Sequence, residues 1–218
     1  MSHISSADPL TGLLNRNAFD EEFKAQMQAA VEGNLPISLA FLDIDNFLQI
    51  NQTLGHNDGD QVLKSISDIL QEQAGEHAIT ARYGGDEFAI IFPLTEREQA
   101  FLTMERIRVQ VETQERFGEV GTKITITVGI AAYPIDGSTE SEILRKADQA
   151  LYRAKKTSRN SIRLAYEEKM APKTSHFTLT QLERLSNLAK EEGVGEAVLL
   201  REALDDLLFK YGTNDIES

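Results

Sequence analysis

Ile79-Thr80-Ala81-Arg82-Tyr83-Gly84-Gly85-Asp86-Glu87-Phe88-Ala89-Ile90-Ile91-Phe92 sets two runs of β-forming residues on either side of a glycine pair. Such runs predict strands, and Gly-Gly between them predicts a tight hairpin with Asp86 and Glu87 at its tip. Upstream, Val62, Leu63, Ile66, Ile69 and Leu70 recur at helical spacing from Asp58. Before them, Ile37 to Asp43 is short, largely apolar and preceded by Pro36, as a buried strand should be. Further back, Phe19, Phe23, Met27 and Ala30 mark a helix from Asn15 to Gly33. Downstream of the hairpin, a helix is expected over Thr95–Arg116 and a strand over Lys123–Tyr133. A helix through Ile143, Leu144, Ala147, Leu151 and Ala154 and a short strand at Ser161–Leu164 follow. The order α, β, α, β, β, α, β, α, β predicts an α/β fold, an α+β sandwich with a mixed sheet on the ferredoxin-like βαββαβ plan.

The 218 residues suffice for one sizeable core and a small appendage. With 41% hydrophobic and 26% charged residues the chain has a globular composition, not a disordered one. Its formal charge of −13 opposes nucleic acid and anionic membrane, so a polyanionic ligand needs a local basic site. No cysteine is present, which excludes disulfides and thiol chemistry, leaves oxygen or His as metal ligands, and fits a reducing compartment. The longest largely apolar stretch, Ile37–Leu42, is far below the ~20 residues of a membrane span, and Met1–Ser6 lacks secretory features. No membrane partner and a cytoplasmic location are expected.

Asp43 and Asp45 flank Ile44 at the end of the first strand, so in extended geometry both point to one side and could share a divalent cation. The pair could equally just end the strand and cap a helix starting near Phe47. Gly-Gly with acids is likewise common in solubilising turns. The five residues Gly84-Gly85-Asp86-Glu87-Phe88 together are a sharper signal.

Arg82-Tyr83-Gly84-Gly85-Asp86-Glu87-Phe88 resembles the signature hairpin of GGDEF domains, the diguanylate cyclases. Asp8-Pro9-Leu10-Thr11-Gly12-Leu13-Leu14-Asn15-Arg16 resembles that family's opening segment, and Phe41–Asp60 its metal and guanine region. Leu144–Asn160 resembles its phosphate-binding last helix, so the likeness spans Ala7–Leu164. The resemblance implies a nucleotidyl-cyclase-type core that condenses two GTP into cyclic di-GMP with release of pyrophosphate. It implies that Asp43, the Ile44 carbonyl, Asp86 and Glu87 hold Mg²⁺ or Mn²⁺, hard cations suited to oxygen ligands. Asp86 and Glu87 then share metal and proton roles at the 3′-hydroxyl, and Asp45 is structural. Asn51 and Asp60 are implied as guanine readers, an amide and a carboxylate for opposite ends of an edge that carries both acceptor and donors. His56, in an expected Leu54-Gly55-His56-Asn57 loop, is open to a structural hydrogen bond or a ligand contact. Phe47 and Leu48 are placed at the substrate, and Lys155 and Arg159, four apart near a helix end, at the phosphates. By themselves two such cations merely favour the helix dipole.

Three positions depart from the family pattern. Leu48 stands where a Lys is usual, removing a cation near the triphosphate. Ser158 replaces a Gly before Arg159, with a mild effect expected. Gly75 and Ala78 occupy the Arg and Asp positions of the inhibitory product site, so feedback there is not expected. Only a few residues precede Asp8, so a replacement for the family's usual dimerising domain is expected, unless the chain is a fragment.

Domains are expected at 1–166, with a linker at 167–174 around Pro172, a dimerisation segment at 175–212 and a tail at 213–218. Within 175–212 a short strand at His176–Leu179 and helices at Thr180–Glu192 and Glu196–Tyr211 resemble a ribbon-helix-helix unit, a route to a homodimer. A plain helical hairpin is the other reading. Six basic and eleven acidic residues from Glu167 onward leave a charge of −5, which argues against DNA contact through His176 and Thr178. The main functional expectation is a metal-dependent diguanylate cyclase with one GTP per protomer of a dimer. The alternative is a non-catalytic module that binds GTP or a cyclic dinucleotide and acts through its C-terminal segment, with DNA contact left open as one route.

Overall fold

The computed structural model describes residues 6–115, 117, 123–165, 175–192 and 195–210. The expected linker at 167–174 and the tail at 213–218 lie outside the described residues. The chain divides into two compact units, 1–167 and 168–218.

In the first unit the elements are α1 (Arg16–Gly33), β1 (Ile37–Ile44), α2 (Phe47–Leu54), α3 (His56–Gln73), β2 (Ile79–Arg82) and β3 (Glu87–Pro93). There follow α4 (Arg97–Thr113), β4 (Ile126–Tyr133), α5 (Glu140–Thr157) and β5 (Ile162–Leu164). The strands form one sheet in the order β2-β3-β1-β4-β5. The first four pair antiparallel and β5 adds parallel to β4, giving the mixed sheet and βαββαβ plan expected from the sequence.

Period-two alternation sends successive side chains of each strand to opposite faces. Ala40, Leu42 and Ile44 of β1, with Phe88, Ile90 and Phe92 of β3, pack in one core with Val62, Ile66 and Leu70 of α3 and Met104, Ile107 and Val111 of α4. Ile37, Leu39 and Phe41, with Ala89 and Ile91, pack in the other with Phe19, Phe23 and Met27 of α1 and Ile143, Ala147 and Leu151 of α5. Each large side chain so buried is worth about 2–3 kcal/mol. Asp43 and Glu87 fall on the α1/α5 face by the same alternation, which puts carboxylates where α5 can reach them.

Helix ends follow local chemistry. The Asn15 side chain caps α1 by accepting from the Ala18 N–H, and Asn34, at φ 49°, closes it. Thr139 and Glu142 form a reciprocal capping box on α5.

Several expected boundaries are corrected. Residues 55–57 are not a loop: Gly55, at φ 96°, is the single junction between α2 and α3, and His56 opens α3 two residues before the expected start. The strand expected from Lys123 begins at Ile126, because Thr125 has turned to Asp45, its carbonyl accepting the Asp45 N–H at 2.9 Å. The helix expected over Thr95–Arg116 is Arg97–Thr113, with Glu96 and Gln99 forming its capping box.

The second unit holds α6 (Leu179–Glu192) and α7 (Glu196–Lys210), which pack on each other. The strand expected at His176–Leu179 is not formed: residues 175–178 lead straight into α6. Thr178 and Gln181 satisfy one another there, the Thr178 N–H donating to Gln181 Oε1 at 2.9 Å and the Gln181 N–H to Thr178 Oγ1 at 3.2 Å. No helix among the described residues is long and apolar enough to cross a membrane.

Candidate active site

The hairpin is built as the sequence predicts, though its glycines serve a different purpose. The Tyr83 and Gly84 N–H groups both donate to the Glu87 carbonyl, at 2.8 and 3.1 Å. Neither Gly84 nor Gly85 has a positive φ. A Cβ at Gly84 would instead stand 2.7 Å from Glu87 Oε2, so the bare residue makes room for that carboxylate. Arg82 ties the hairpin to the opening segment, donating to the Gly85 carbonyl at 2.7 Å and to Asp8 at 3.3 Å. Burial pushes the Asp8 carboxyl up, but hydrogen bonds from Thr11 and the Arg82 charge outweigh it and hold it below its usual range. Tyr83 packs against Phe19 and Phe41, at centroid distances of 5.3 and 4.9 Å, which fixes the hairpin base to α1 and β1.

Across the β1–β3 ladder Asp43 lies directly opposite Glu87, and the next residue, Ile44, donates its N–H to the Asp86 carbonyl at 3.2 Å. Three acidic residues are thus gathered at one end of the central strand. Lys155, in the last turn of α5, places Nζ 2.7 Å from Asp43 Oδ2. Burial pushes the Asp43 carboxyl up to about 6; Lys155 pulls it down, while Asp86 and Glu87 push it further up. Among the described residues no three His, Asp or Glu side chains converge as a ready-made ligand set.

Asp45 does not join this cluster. It is 5% exposed and accepts from Thr125 Oγ1 and Thr127 Oγ1, both at 2.7 Å, and from the Asn160 N–H at 2.9 Å. That bonding pins the α5–β5 turn to the end of β1 and leaves Asp45 a structural part. Next to it, Asn46 Oδ1 accepts from Arg159 Nη1 at 2.7 Å, so the exposed guanidinium is held over the start of α2. Ser158 has φ −158°, extended backbone open to any residue, so the position does not require glycine for its conformation.

Phe47 and Leu48 form the first turn of α2, with Leu48 70% exposed. Asn51 lies one turn further, its Oδ1 buried without a hydrogen-bond partner and set against Gly59 of α3. Asp60 follows Gly59 and is exposed, as is His56 a turn earlier. A groove of about 310 Å³ opens beside Glu87, lined by Arg16, Tyr83, Leu144 and Asp148 among others. The Arg16 guanidinium sits over the Tyr83 ring at 4.6 Å.

Sequence reasoning missed Asn46, Asn160, Gly59 and the Arg16–Tyr83 pair. The Arg159–Asn46 bond joins residues 113 apart, and nothing local announces it. Asn160 did carry a signal: it follows a basic helix end and has φ 55°, a conformation Asn tolerates.

Comparison with known proteins agrees with this geometry. Residues 5–161 match the family model described as diguanylate cyclase, GGDEF domain, and residues 171–212 match a ribbon-helix-helix domain. The chain is 35% identical over 163 residues to the diguanylate cyclase DosC of Escherichia coli, covering 74% of this chain and 35% of DosC. It is 32% identical over 161 residues to the cyclic di-GMP phosphodiesterase NbdA of Pseudomonas aeruginosa, covering 74% of this chain and 21% of NbdA. The chain therefore spans about a third or less of the length of these relatives. Among solved structures, the GGDEF domain of DgcB from Caulobacter crescentus, in complex with c-di-GMP, is similar with a TM-score of 0.69 and 37% identity. That match covers 76% of this chain and 98% of the DgcB domain. With its hairpin, its mixed sheet and the match over residues 5–161, the chain belongs to the GGDEF domain family of diguanylate cyclases.

Proposed function

We propose that the first unit is a diguanylate cyclase that condenses two GTP into cyclic di-GMP as half of a homodimer, each protomer holding one GTP. The observation that carries this reading is Asp43 facing Glu87 across the ladder, with Asp86 beside them and Lys155 on Asp43. In each of two equivalent steps the 3′-oxygen of one GTP bonds to the α-phosphorus of the other. The bond from that phosphorus to the bridging oxygen of the β-phosphate breaks, pyrophosphate leaves, and the hydroxyl proton passes to a carboxylate or water.

The residues fit a divalent cation. Asp43, the Ile44 carbonyl, Asp86 and Glu87 offer hard oxygen donors, and a cation would favour the ionised Asp43 carboxylate that burial first, and then the Asp86 and Glu87 charges, disfavour. Mg²⁺ usually takes one or two protein carboxylates and fills its other positions with phosphates and water, so three converging acids are not required. When bound, Mg²⁺ or Mn²⁺ supplies charge neutralisation at the α-phosphate and the leaving pyrophosphate. Asp86 and Glu87 accept the 3′-hydroxyl proton. Lys155 and Arg159 take phosphate charge, supplemented by the backbone amides of Phe47 and Leu48 at the start of α2. Asn51 and Asp60 read the guanine edge, and the unpartnered Asn51 Oδ1 supports that role. His56 flanks the base.

Homodimerisation is assigned to 175–212. The ribbon-helix-helix match supports it, as do exposed Leu179, Leu200, Leu204 and Leu207, an apolar surface a second copy would cover. A second reading, a non-catalytic GTP- or cyclic dinucleotide-binding module, is favoured by one observation, the exposed Leu48 in place of a cation. Incubating the purified chain with GTP and Mg²⁺, beside Asp86→Ala and a truncation after Ala165, decides between them by chromatography of the products. Cyclic di-GMP from the parent and none from Asp86→Ala supports the cyclase. GTP binding without product at high protein concentration overturns it in favour of the module. Sedimentation of the truncated chain as a dimer overturns the assignment of dimerisation to the tail.

A further inference from the structure

We infer that Gly59 is a specificity-determining position: its bare α-carbon seats the Asn51 amide, and a side chain there would displace the group that reads the base. This rests on the proposed role of Asn51. Gly59 is buried in α3, one turn from the helix start and just before Asp60. Glycine inside a helix is less favourable than alanine, so its place there calls for a reason. Its φ is not positive, so the reason is not backbone conformation. Space accounts for it. A Cβ built on Gly59 would overlap Asn51 Oδ1, crowd Asn51 Cγ at 3.0 Å, and stand 3.3 Å from Cζ of Phe47.

The atom that must give way is the head of a short side chain, so the strain falls on the Asn51 amide and not on the sheet. Asn51 Oδ1 is also one of two buried side-chain polar atoms without a hydrogen-bond partner among the described residues. An unsatisfied buried acceptor is costly, and a ligand donor is one way to relieve it. Gly55 alone separates the two helices, and the Asn51 amide of α2 meets the bare α-carbon of Gly59 on the first turns of α3, next to Asp60 in the chain. Gly59 thus acts as a positioning residue for Asn51, although it offers the base no polar side chain.

The test is a double-mutant cycle of Gly59→Ala and Asn51→Ala in the full chain, with affinities for GTP and ATP measured by calorimetry in Mg²⁺. Gly59→Ala is expected to cut the preference for GTP over ATP by about tenfold. Asn51→Ala should do the same, and the double variant should lose no more than either. A GTP/ATP ratio unchanged in Gly59→Ala but reduced in Asn51→Ala overturns the seat at Gly59 and leaves the base-reading role standing. A ratio unchanged in Asn51→Ala overturns the base-reading role itself. Thermal melts test the seat without nucleotide: the double variant should melt higher than the sum of the single effects predicts, because Asn51→Ala removes the atom that the new Cβ strikes. Additive melting shifts overturn the seat whatever the nucleotide affinities are.

Discussion

Lys155 Nζ rests 2.7 Å from Asp43 Oδ2, so a cation from the last turn of α5 already occupies a carboxylate on the central strand. The pair joins one of the two cations assigned to phosphate with one of the acids assigned to metal. It also makes the protonation of Asp43 measurable in the protein without ligand.

Burial pushes Asp43 up to about 6 from 3.8, Lys155 opposing and Asp86 and Glu87 adding to the shift. The folded carboxyl holds its proton more tightly than the unfolded chain does, so this group makes stability fall as pH rises from about 4 to about 6, and level beyond. Asp43→Asn lacks that slope. The stability of the variant minus that of the parent is expected to grow by on the order of 2 kcal/mol between pH 4 and pH 7. Chemical denaturation without divalent cations measures it, and a difference that shrinks with rising pH contradicts the shift.

Leu48 is 70% exposed in the first turn of α2, and the nearby Arg159 is already held by Asn46. Leu48→Lys should strengthen GTP binding about fivefold through one added charge-assisted contact. The melting temperature should hardly move, since an exposed side chain is exchanged. Titration with GTP checks it. No gain in affinity would place the triphosphate away from this turn.

Asp45→Ala removes an acceptor shared by two hydroxyls and the Asn160 N–H. The two hydroxyls lose this acceptor, the buried Thr127 among them, and the Asn160 N–H keeps only Thr127 Oγ1 at 3.0 Å, so the unfolding free energy is expected to fall by about 2 kcal/mol. Urea unfolding measures the loss. A variant as stable as the parent would show that the α5–β5 turn does not depend on this carboxylate.

Gly129 of β4 faces α5 so closely that an added Cβ would overlap the Leu151 N and the Ala147 carbonyl oxygen. Both are backbone atoms and cannot swing aside. Gly129→Ala should cost about 3 kcal/mol or more by lifting α5 from the sheet. The same variant should lose GTP affinity, because Lys155 and Arg159 move with the helix. Calorimetric melting together with GTP titration tests both.

The fold was legible wherever burial writes a period into the chain. Short, largely apolar runs at Ile37–Asp43 and Phe88–Phe92 mark strands buried between two helical layers, and Phe19, Phe23 and Met27 mark the helix above them. The α2–α3 junction was harder to read, because a break of one residue at Gly55 scarcely interrupts a helical pattern. At His176–Leu179 two local signals competed. The alternation suits a strand, but a four-residue strand gains little without a neighbour, whereas Thr178 and Gln181 carry the spacing of a capping box. Of the site, the carboxylates and cations were visible through their motifs. The residues that aim them were not: Asn46 and Asn160 act through contacts 113 and 115 residues apart, and Gly59 acts through the space it leaves.

The contact of Gly129 with the backbone of α5 makes the length of that helix matter as much as its composition. Each residue of an α-helix turns the chain by about 100°. An insertion or deletion between Leu151 and Lys155 would therefore swing both distal cations away from Asp43 and Asn46 while every motif letter stayed intact. The same change in the loop before Thr139 would leave the helix fixed where Gly129 meets it. Relatives of this chain should thus vary freely in length ahead of α5 and scarcely at all within it.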